Sequence, residues 1–285
     1  MHTRRIGDVE VSAIGLGAMP MSIEGRPDEA RSLATIHAAL DAGLTLIDTA
    51  DAYHLHADEV GHNESLIAKA LASHDRGAEV LVATKGGHLR PGDGSWTRDG
   101  SPRHLKEACE ASLTRLGVEA VGLYQFHRPD PRVPYAESLG AIRELLDEGK
   151  IRMAGISNAD PEQIRQANRI LGGRLVAVQN QFSPAFRSSE PELRLCDELG
   201  IAFLPWSPLG GISRAGELGS AHAPFARIAE VHGVSPQRVC LAWMLAKSPV
   251  VVPIPGASRP ETIRDSAAAV DLVLTAGELA ELDAA

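Results

Sequence analysis

Short apolar runs alternate with longer stretches of helical spacing along the whole chain. The runs are Ile14–Leu16, Leu44–Ile47, Val80–Ala83, Val121–Phe126, Arg152–Ile156, Val176–Val178, Ile201–Leu204 and Val250–Val252. Their shortness and near-continuous apolar character predict strands buried on both faces. Between them the apolar spacing predicts helices over Asp28–Asp41, Glu64–Ser73, Pro102–Leu116, Tyr135–Glu148, Pro161–Leu171, Pro191–Leu199 and Pro236–Ala246, with another at Pro260–Ala268 after the last strand. Ser101-Pro102, Asp160-Pro161 and Ser235-Pro236 each set a capping oxygen before a proline at the first helical position. Asp160 with Gln163, and Thr275 with Glu278, have capping-box spacing. Gly43, Gly117, Gly149, Gly172 and Gly200 punctuate helix ends.

Strands that alternate with helices in this way call for a parallel sheet, either open and doubly wound or closed into a barrel. A doubly wound dinucleotide fold should carry G-x-G-x-x-G after its first strand. Here Gly15 and Gly17 are followed by Pro20, and the third glycine is missing. Eight strand–helix units and the absent fingerprint favour a (β/α)8 TIM barrel, expected to form one domain over residues 1–285. The stretch Arg4–Val11, centred on Gly7-Asp8, predicts a short β-hairpin that plugs the N-terminal end of the barrel.

Composition narrows the picture. Aromatic residues are only 4% of the 285, so the core must be built mainly from Ala, Val, Leu and Ile. The net charge of -9 works against a nucleic acid or an acidic membrane surface as partner and leaves room for one local basic pocket. Cys109, Cys196 and Cys240 are widely spaced and form no C-x-x-C pair, which fits unpaired cysteines in a reducing cytoplasm. The N-terminus lacks the apolar core of a signal peptide, and no long uncharged apolar run predicts a membrane span.

In a barrel of this kind the active site lies at the C-terminal mouth of the strands. The runs deliver Asp48, Lys85, His127, Ser157 with Asn158, Gln179, and Trp206 with Ser207 to that mouth, and Tyr53 follows Asp48 on the same rim. A phenol titrates near pH 10 and is a poor acid at neutrality unless a cation stabilises its phenolate. Lys85 can supply that cation, Asp48 can hold the lysine charged, and His127 can orient a carbonyl oxygen. Such a set would protonate an oxyanion as a hydride reaches the carbonyl carbon, an effect of roughly 10²–10⁴-fold.

Leu46–Tyr53 (LIDTADAY), Val82–Gly86 (VATKG), Leu123–Asp130 (LYQFHRPD), Gly155–Asn158 (GISN), Val178–Phe182 (VQNQF) and Ile254–Arg259 (IPGASR) resemble, in order and over nearly the whole chain, the aldo-keto reductases. The resemblance implies NADPH-dependent reduction of aldehydes or ketones, with Asp48, Tyr53, Lys85 and His127 as the catalytic tetrad and Tyr53 as the acid. It implies a nicotinamide site at Ser157, Asn158 and Gln179 with Trp206 stacked on the ring, where the family usually has tyrosine. It places the pyrophosphate along Ser207, Pro208, Leu209 and Gly211. Gly17, Ala18, Met19, Ile254, Gly256, Ser258, Arg259, Asp265 and Ser266 are the remaining expected cofactor contacts, Asp48 is counted among them too, and Tyr53, His54, Trp96 and His127 are the expected substrate contacts.

The chain departs from the family pattern at several points. Gly256 stands where a lysine often meets the 2′-phosphate, so Arg259, with Arg264 beyond it, is left for that role, and Thr262 stands where an arginine often stacks on adenine. NADPH is the expected cofactor and NADH the lesser alternative. The loop after Tyr53, HLHADEVGHNE, is long, and the chain ends soon after its last helix, which implies an open pocket. A competing reading is a regulatory barrel subunit that binds nucleotide without physiological turnover, although such a subunit need not keep the tetrad. A metal-dependent hydrolase would need His and Asp ligands on several strand ends, and only His127 qualifies. His54, His56 and His62 with Asp58 and Glu59 resemble a metal cluster, but the loop offers no rigid ligand frame, so no metal is expected.

Overall fold

The computed structural model describes residues 2–285. Strands β1 (Thr3–Ile6) and β2 (Val9–Ser12) form the antiparallel hairpin. The barrel strands that follow are β3 (Leu16–Gly17), β4 (Leu46–Asp48) and β5 (Leu81–Gly86). A second small hairpin, β6 (His88–Leu89) with β7 (Thr97–Arg98), interrupts the series. The barrel then resumes with β8 (Val121–Phe126), β9 (Ile151–Ser157), β10 (Leu175–Gln179) and β11 (Ala202–Phe203). The parallel sheet runs in the order β11-β10-β9-β8-β5-β4-β3.

The eighth strand is present as backbone pairing rather than as a regular ladder. Val251 pairs with Phe203 on one side and Gly256 pairs with Gly17 on the other, which closes the barrel. The sequence there reads VVPIPG, and Pro253 and Pro255 have no N–H to give. Their carbonyls instead accept from Gly15 and Gly17, each at 2.9 Å. The expected strand Val250–Val252 therefore extends further, to Gly256. A Cβ on Gly17 would lie 2.8 Å from the Ile254 carbonyl oxygen, so the closing seam requires glycine there.

The period-two alternation of the strands separates two environments. On β8, Tyr124 and Phe126 point outward into the layer under the helices. Leu46, Leu81, Ala83, Leu123, Met153 and Ala177 fill the lumen together with Ile6 and Val11 of the hairpin. The hairpin thus stoppers the lumen with its own apolar side chains. Burying such residues supplies the main driving force for the fold, at about 25 cal/mol per Å² of apolar surface.

The helix caps follow the sequence signals. Ser101 accepts from the His104 amide, Asp160 from Gln163, Ser235 from Arg238 and Thr275 from Glu278. Each such cap is worth about 1 kcal/mol. Gly117 and Gly200 end their helices at φ 67° and 66°, where a side chain would be strained. The helices Leu218–Ala221 and Ala223–His232 escape the sequence pattern, and Ala276–Ala284 is signalled only by the Thr275–Glu278 capping box at its start. The three cysteines are buried and unpaired. Among the described residues no helix is long and apolar enough to cross a membrane.

Candidate active site

The C-terminal end of the lumen is polar where the layers below it are apolar. Asp48, Lys85, Gln125 and Gln179 close it, all buried. Asp48 is saturated: one carboxylate oxygen accepts from Lys85 Nζ at 2.6 Å, and the other accepts from Gln179 Nε2 at 2.7 Å and Gln125 Nε2 at 3.4 Å. Lys85 Nζ also donates to the Thr49 carbonyl at 2.7 Å and to the Tyr53 hydroxyl at 3.2 Å. The ammonium therefore sits behind Tyr53, with all three donors used.

Burial opposes the charge on Lys85, but Asp48 and then Tyr53 outweigh it, and the group is held above its ordinary value. The Tyr53 phenol is pushed above its ordinary value, because burial and Asp48 together exceed the downward pull of Lys85. The expectation that Lys85 lowers the phenol is thus met only as one contribution to a sum of opposite sign. His127 is held well below the ordinary imidazole value by burial, with Lys85, His88 and Arg128 adding to the effect, so the ring is neutral at physiological pH. Its Nδ1 is buried without a partner.

These groups open into a cleft of about 950 Å³. That size suits a large organic ligand together with a small one. Tyr53, His127, Ser157, Asn158, Gln179 and Trp206 line one part. From there the wall continues along Ser207, Pro208, Leu209 and Gly211 to Gly17, Met19, Ile254, Gly256, Ser258, Arg259, Asp265 and Ser266. Two non-glycine residues on this wall are left-handed, Asn158 at φ 57° and Ser207 at φ 50°. Backbone strain of this kind gathers at functional sites.

Several features of the wall fit a dinucleotide. Gly210 and Gly211 also have positive φ, and among the described residues the amides of Ser207, Leu209 and Gly211 donate to no group of the chain. Free amides on such a turn make an anion-binding concavity. Trp206 Nε1 is buried without a partner. Asn158 is tied by its amide nitrogen to the His127 carbonyl at 3.0 Å and to Ser157 Oγ at 2.8 Å, so it is rigidly placed beside His127.

Some expected contacts lie elsewhere. Ala18 does not line the cleft: its amide donates to the Asp48 carbonyl and its carbonyl accepts from Asn63, so it buttresses the strand ends. His54 also faces away, toward a separate cavity of about 170 Å³. Its Nδ1 bonds the His56 carbonyl at 2.7 Å and its own carbonyl accepts from Arg90. Arg264 is not on the cleft wall either, whereas Thr262 is. In the histidine loop, His62 bonds Ser22 and Glu59 pairs with Arg26 at 2.7 Å, so these groups serve different partners.

The sequence reading missed part of the wall. The β6–β7 hairpin brings His88 and Arg98 over the mouth beside Trp96, and Arg128 follows His127 into the same space. Trp96 stacks on His88 with centroids 4.8 Å apart and carries Arg90 on its ring. The turn-rich Pro91-Gly92-Asp93-Gly94 was the available signal for this hairpin. Beneath the Tyr53 loop lies a further group, Asp51, with one carboxylate oxygen buried and unpartnered. Burial first, and then the neighbouring Glu64, push its carboxyl up to about 8. Glu64 itself is fully buried and paired with Arg115 at 2.6 Å.

A closed (β/α)8 barrel with this constellation at its mouth defines an oxidoreductase of the barrel class. The family model described as "Aldo/keto reductase family" matches residues 13–285. The chain belongs to that family. It is 33% identical over 287 residues to an uncharacterized oxidoreductase of Schizosaccharomyces pombe, covering 99% of this chain and 89% of the relative. Among solved structures it resembles the glycerol dehydrogenase of Gluconobacter oxydans with a TM-score of 0.84 at 28% identity, covering 99% of this chain and 94% of the other. It also resembles an aldo-keto reductase of Klebsiella pneumoniae in complex with NADPH, with a TM-score of 0.82 at 30% identity, covering 99% and 94%.

Proposed function

We propose that this chain, acting as a single catalytic domain, reduces aldehydes or ketones to alcohols with NADPH and that Tyr53 is the proton donor. The observation that carries the reading is the Asp48–Lys85–Tyr53 chain of hydrogen bonds, which ends on a phenol at the floor of the cleft. The cofactor follows from family membership and from the NADPH-bound relative, and it agrees with the free amides of the cleft wall.

NADPH supplies a hydride to the carbonyl carbon when bound. The rest is the work of the protein. His127 is neutral and offers a ring N–H to the carbonyl oxygen, which fixes the direction of the lone pair. Tyr53 holds its proton at neutral pH because its phenol lies above its ordinary value. As the carbon–oxygen π bond gives its electron pair to oxygen, the Tyr53 proton moves to that oxygen and the alcohol forms. The phenolate left behind is stabilised by the Lys85 ammonium, which Asp48 keeps charged. The balance is one carbonyl, one NADPH and one proton giving one alcohol and one NADP⁺, with Tyr53 reprotonated from solvent. Trp206, with Ser157, Asn158 and Gln179, would hold the nicotinamide.

The test is NADPH oxidation, followed at 25 °C across a panel of aliphatic, aromatic and sugar aldehydes and ketones, with NADH in parallel. Turnover of at least one class with NADPH preferred over NADH is expected. Stoichiometric NADPH binding with no turnover of any carbonyl would favour a regulatory nucleotide-binding subunit instead.

A further inference from the structure

The substrate end of the cleft carries an unneutralised positive charge. Arg128 directly follows His127 and lines the cleft, half-buried. It makes no ion pair, and among the described residues its guanidinium has no hydrogen-bond acceptor in the chain. Its one close partner is the Trp206 ring, 5.9 Å from the guanidinium carbon to the centroid. Arg98 reaches the same space from β7. It too has no ion pair, and only one of its nitrogens is used, on the Pro129 carbonyl at 3.1 Å. Among the described residues eleven of the 23 arginines make no ion pair, but those that also lack a hydrogen-bond acceptor in the chain are exposed, except Arg128. A half-buried guanidinium with neither is the exception, and the exposed Arg98 adds its charge beside it.

The surroundings offer them no counter-charge. Of the acidic residues on the cleft wall, Asp48 is spent on Lys85, Gln125 and Gln179, and Asp265 is bound to Arg238 and Ser235. Glu261 pairs with Arg259 at the other end of the cleft. The neighbours of Arg128 are cationic or neutral: burial and Arg98 both act against its charge, and only the Tyr53 phenol favours it. The same field, after burial, holds the His88 imidazole down to about 4, so His88 is neutral and adds no further positive charge. A partly desolvated guanidinium without a partner is costly, and a bound anion relieves that cost.

Resting on the reductase reading, we infer that the preferred substrates are carbonyl compounds bearing an oxyanion, a carboxylate or phosphate, which Arg128 receives in bidentate fashion with help from Arg98. Tyr53 and His127 take the carbonyl oxygen, and Arg128 takes the anionic group a few bonds away. Trp96, stacked on His88 beside the same opening, supplies the flat wall between the two. The guanidinium fork matches either oxyanion, and a lysine at this place would provide charge without that geometry. Arg128 is thus a specificity-determining residue, distinct from the acid and the positioning groups of the tetrad.

The experiment compares 4-formylbenzoate with its methyl ester in NADPH-oxidation assays at low ionic strength. The ester has the intrinsically more electrophilic aldehyde, so a preference for the acid cannot come from reactivity. Wild-type kcat/KM is expected to favour the acid by roughly ten- to a hundred-fold, the value of one charge-assisted contact. Added salt should shrink that ratio. The ratio should fall to near or below one in Arg128→Met, and fall partly in Arg98→Met and in Arg128→Lys, which keeps the charge but not the bidentate fork. Repeating the pair with glyceraldehyde 3-phosphate and glyceraldehyde separates phosphate from carboxylate recognition. Equal or ester-favouring kcat/KM in the wild type overturns the inference and leaves the reductase reading standing. An unchanged ratio in Arg128→Met with weakened NADPH binding also overturns it, by assigning the guanidinium to the cofactor. No NADPH oxidation with any of these carbonyls would overturn the reductase reading, and the substrate assignment with it.

Discussion

Tyr53 and His127 meet edge to face, with ring centroids 5.8 Å apart and planes inclined by 82°. A carbonyl oxygen can therefore be approached by a phenol and an imidazole from two directions at once. The phenol is backed by a cation and the imidazole is neutral, so the two are chemically different donors. This difference underlies the first expectation.

Tyr53→Phe keeps the ring and the packing but removes the hydroxyl. Turnover is expected to fall by roughly 10²–10⁴-fold, the usual worth of a general acid. NADPH binding, measured by fluorescence titration, should stay close to wild type. A variant that retained full kcat would show that the proton comes from another group.

At the end of the cleft assigned to the 2′-phosphate by the family resemblance, an ion pair would compete with a bound phosphate. Arg259 lies 3.5 Å from Glu261, and both side chains are largely exposed. In the proposed assignment Arg259 meets the 2′-phosphate. Arg259→Ala should weaken NADPH by about tenfold or more and NADH much less, because a charge-assisted contact is lost only with the former. Glu261→Gln should tighten NADPH modestly by freeing the guanidinium. Parallel titrations decide this, and equal losses for both cofactors in Arg259→Ala would remove the assignment.

Trp206 can be read optically. The chain has three tryptophans, of which Trp243 is fully buried and away from the cleft wall, whereas Trp96 and Trp206 line it. NADPH should quench the emission, and Trp206→Ala should abolish most of the quench while Trp96→Ala leaves most of it. The reverse pattern would place the nicotinamide away from Trp206.

Asp51 should make stability fall as pH rises. Its carboxyl sits at about 8 in the folded chain against an ordinary value of 3.8. The folded state thus binds the proton more tightly than the unfolded state. This contribution is fully present below pH ~4 and is lost progressively as the pH rises through about 8. Asp51→Asn carries no buried charge, so its Tm should gain on that of the wild type between pH 5 and pH 9. A Tm difference that does not change with pH would show that Asp51 is ionised in the fold, or that water reaches it.

Period and punctuation made much of this molecule readable. The eight strand positions, the proline-preceded caps at Ser101, Asp160 and Ser235, and the plug hairpin follow from local chemistry, because backbone hydrogen bonding and burial act on neighbouring residues. The polar residues Asp48, Lys85, His127 and Gln179 were legible for a related reason: each ends an apolar run, and parallel strands in a barrel all end at one mouth. The amino-acid sequence by itself therefore determined the barrel and which side chains could gather at its mouth.

Only the tertiary structure decided how they meet and what surrounds them. The net direction of the Tyr53 phenol depends on how deeply it is buried, a sum over distant elements that no local pattern carries. Ala18 and His54 lie beside site residues in sequence and still turn away, because Asn63 and Arg90, far along the chain, hold their carbonyls. The eighth strand survives without a regular ladder because its proline carbonyls find the Gly15 and Gly17 amides across the closing seam. Arg98 and Arg128 are thirty residues apart and look like ordinary surface charges in the sequence. The β6–β7 hairpin folds one over the other, and only that long-range packing leaves both without a counter-ion at the mouth of the cleft.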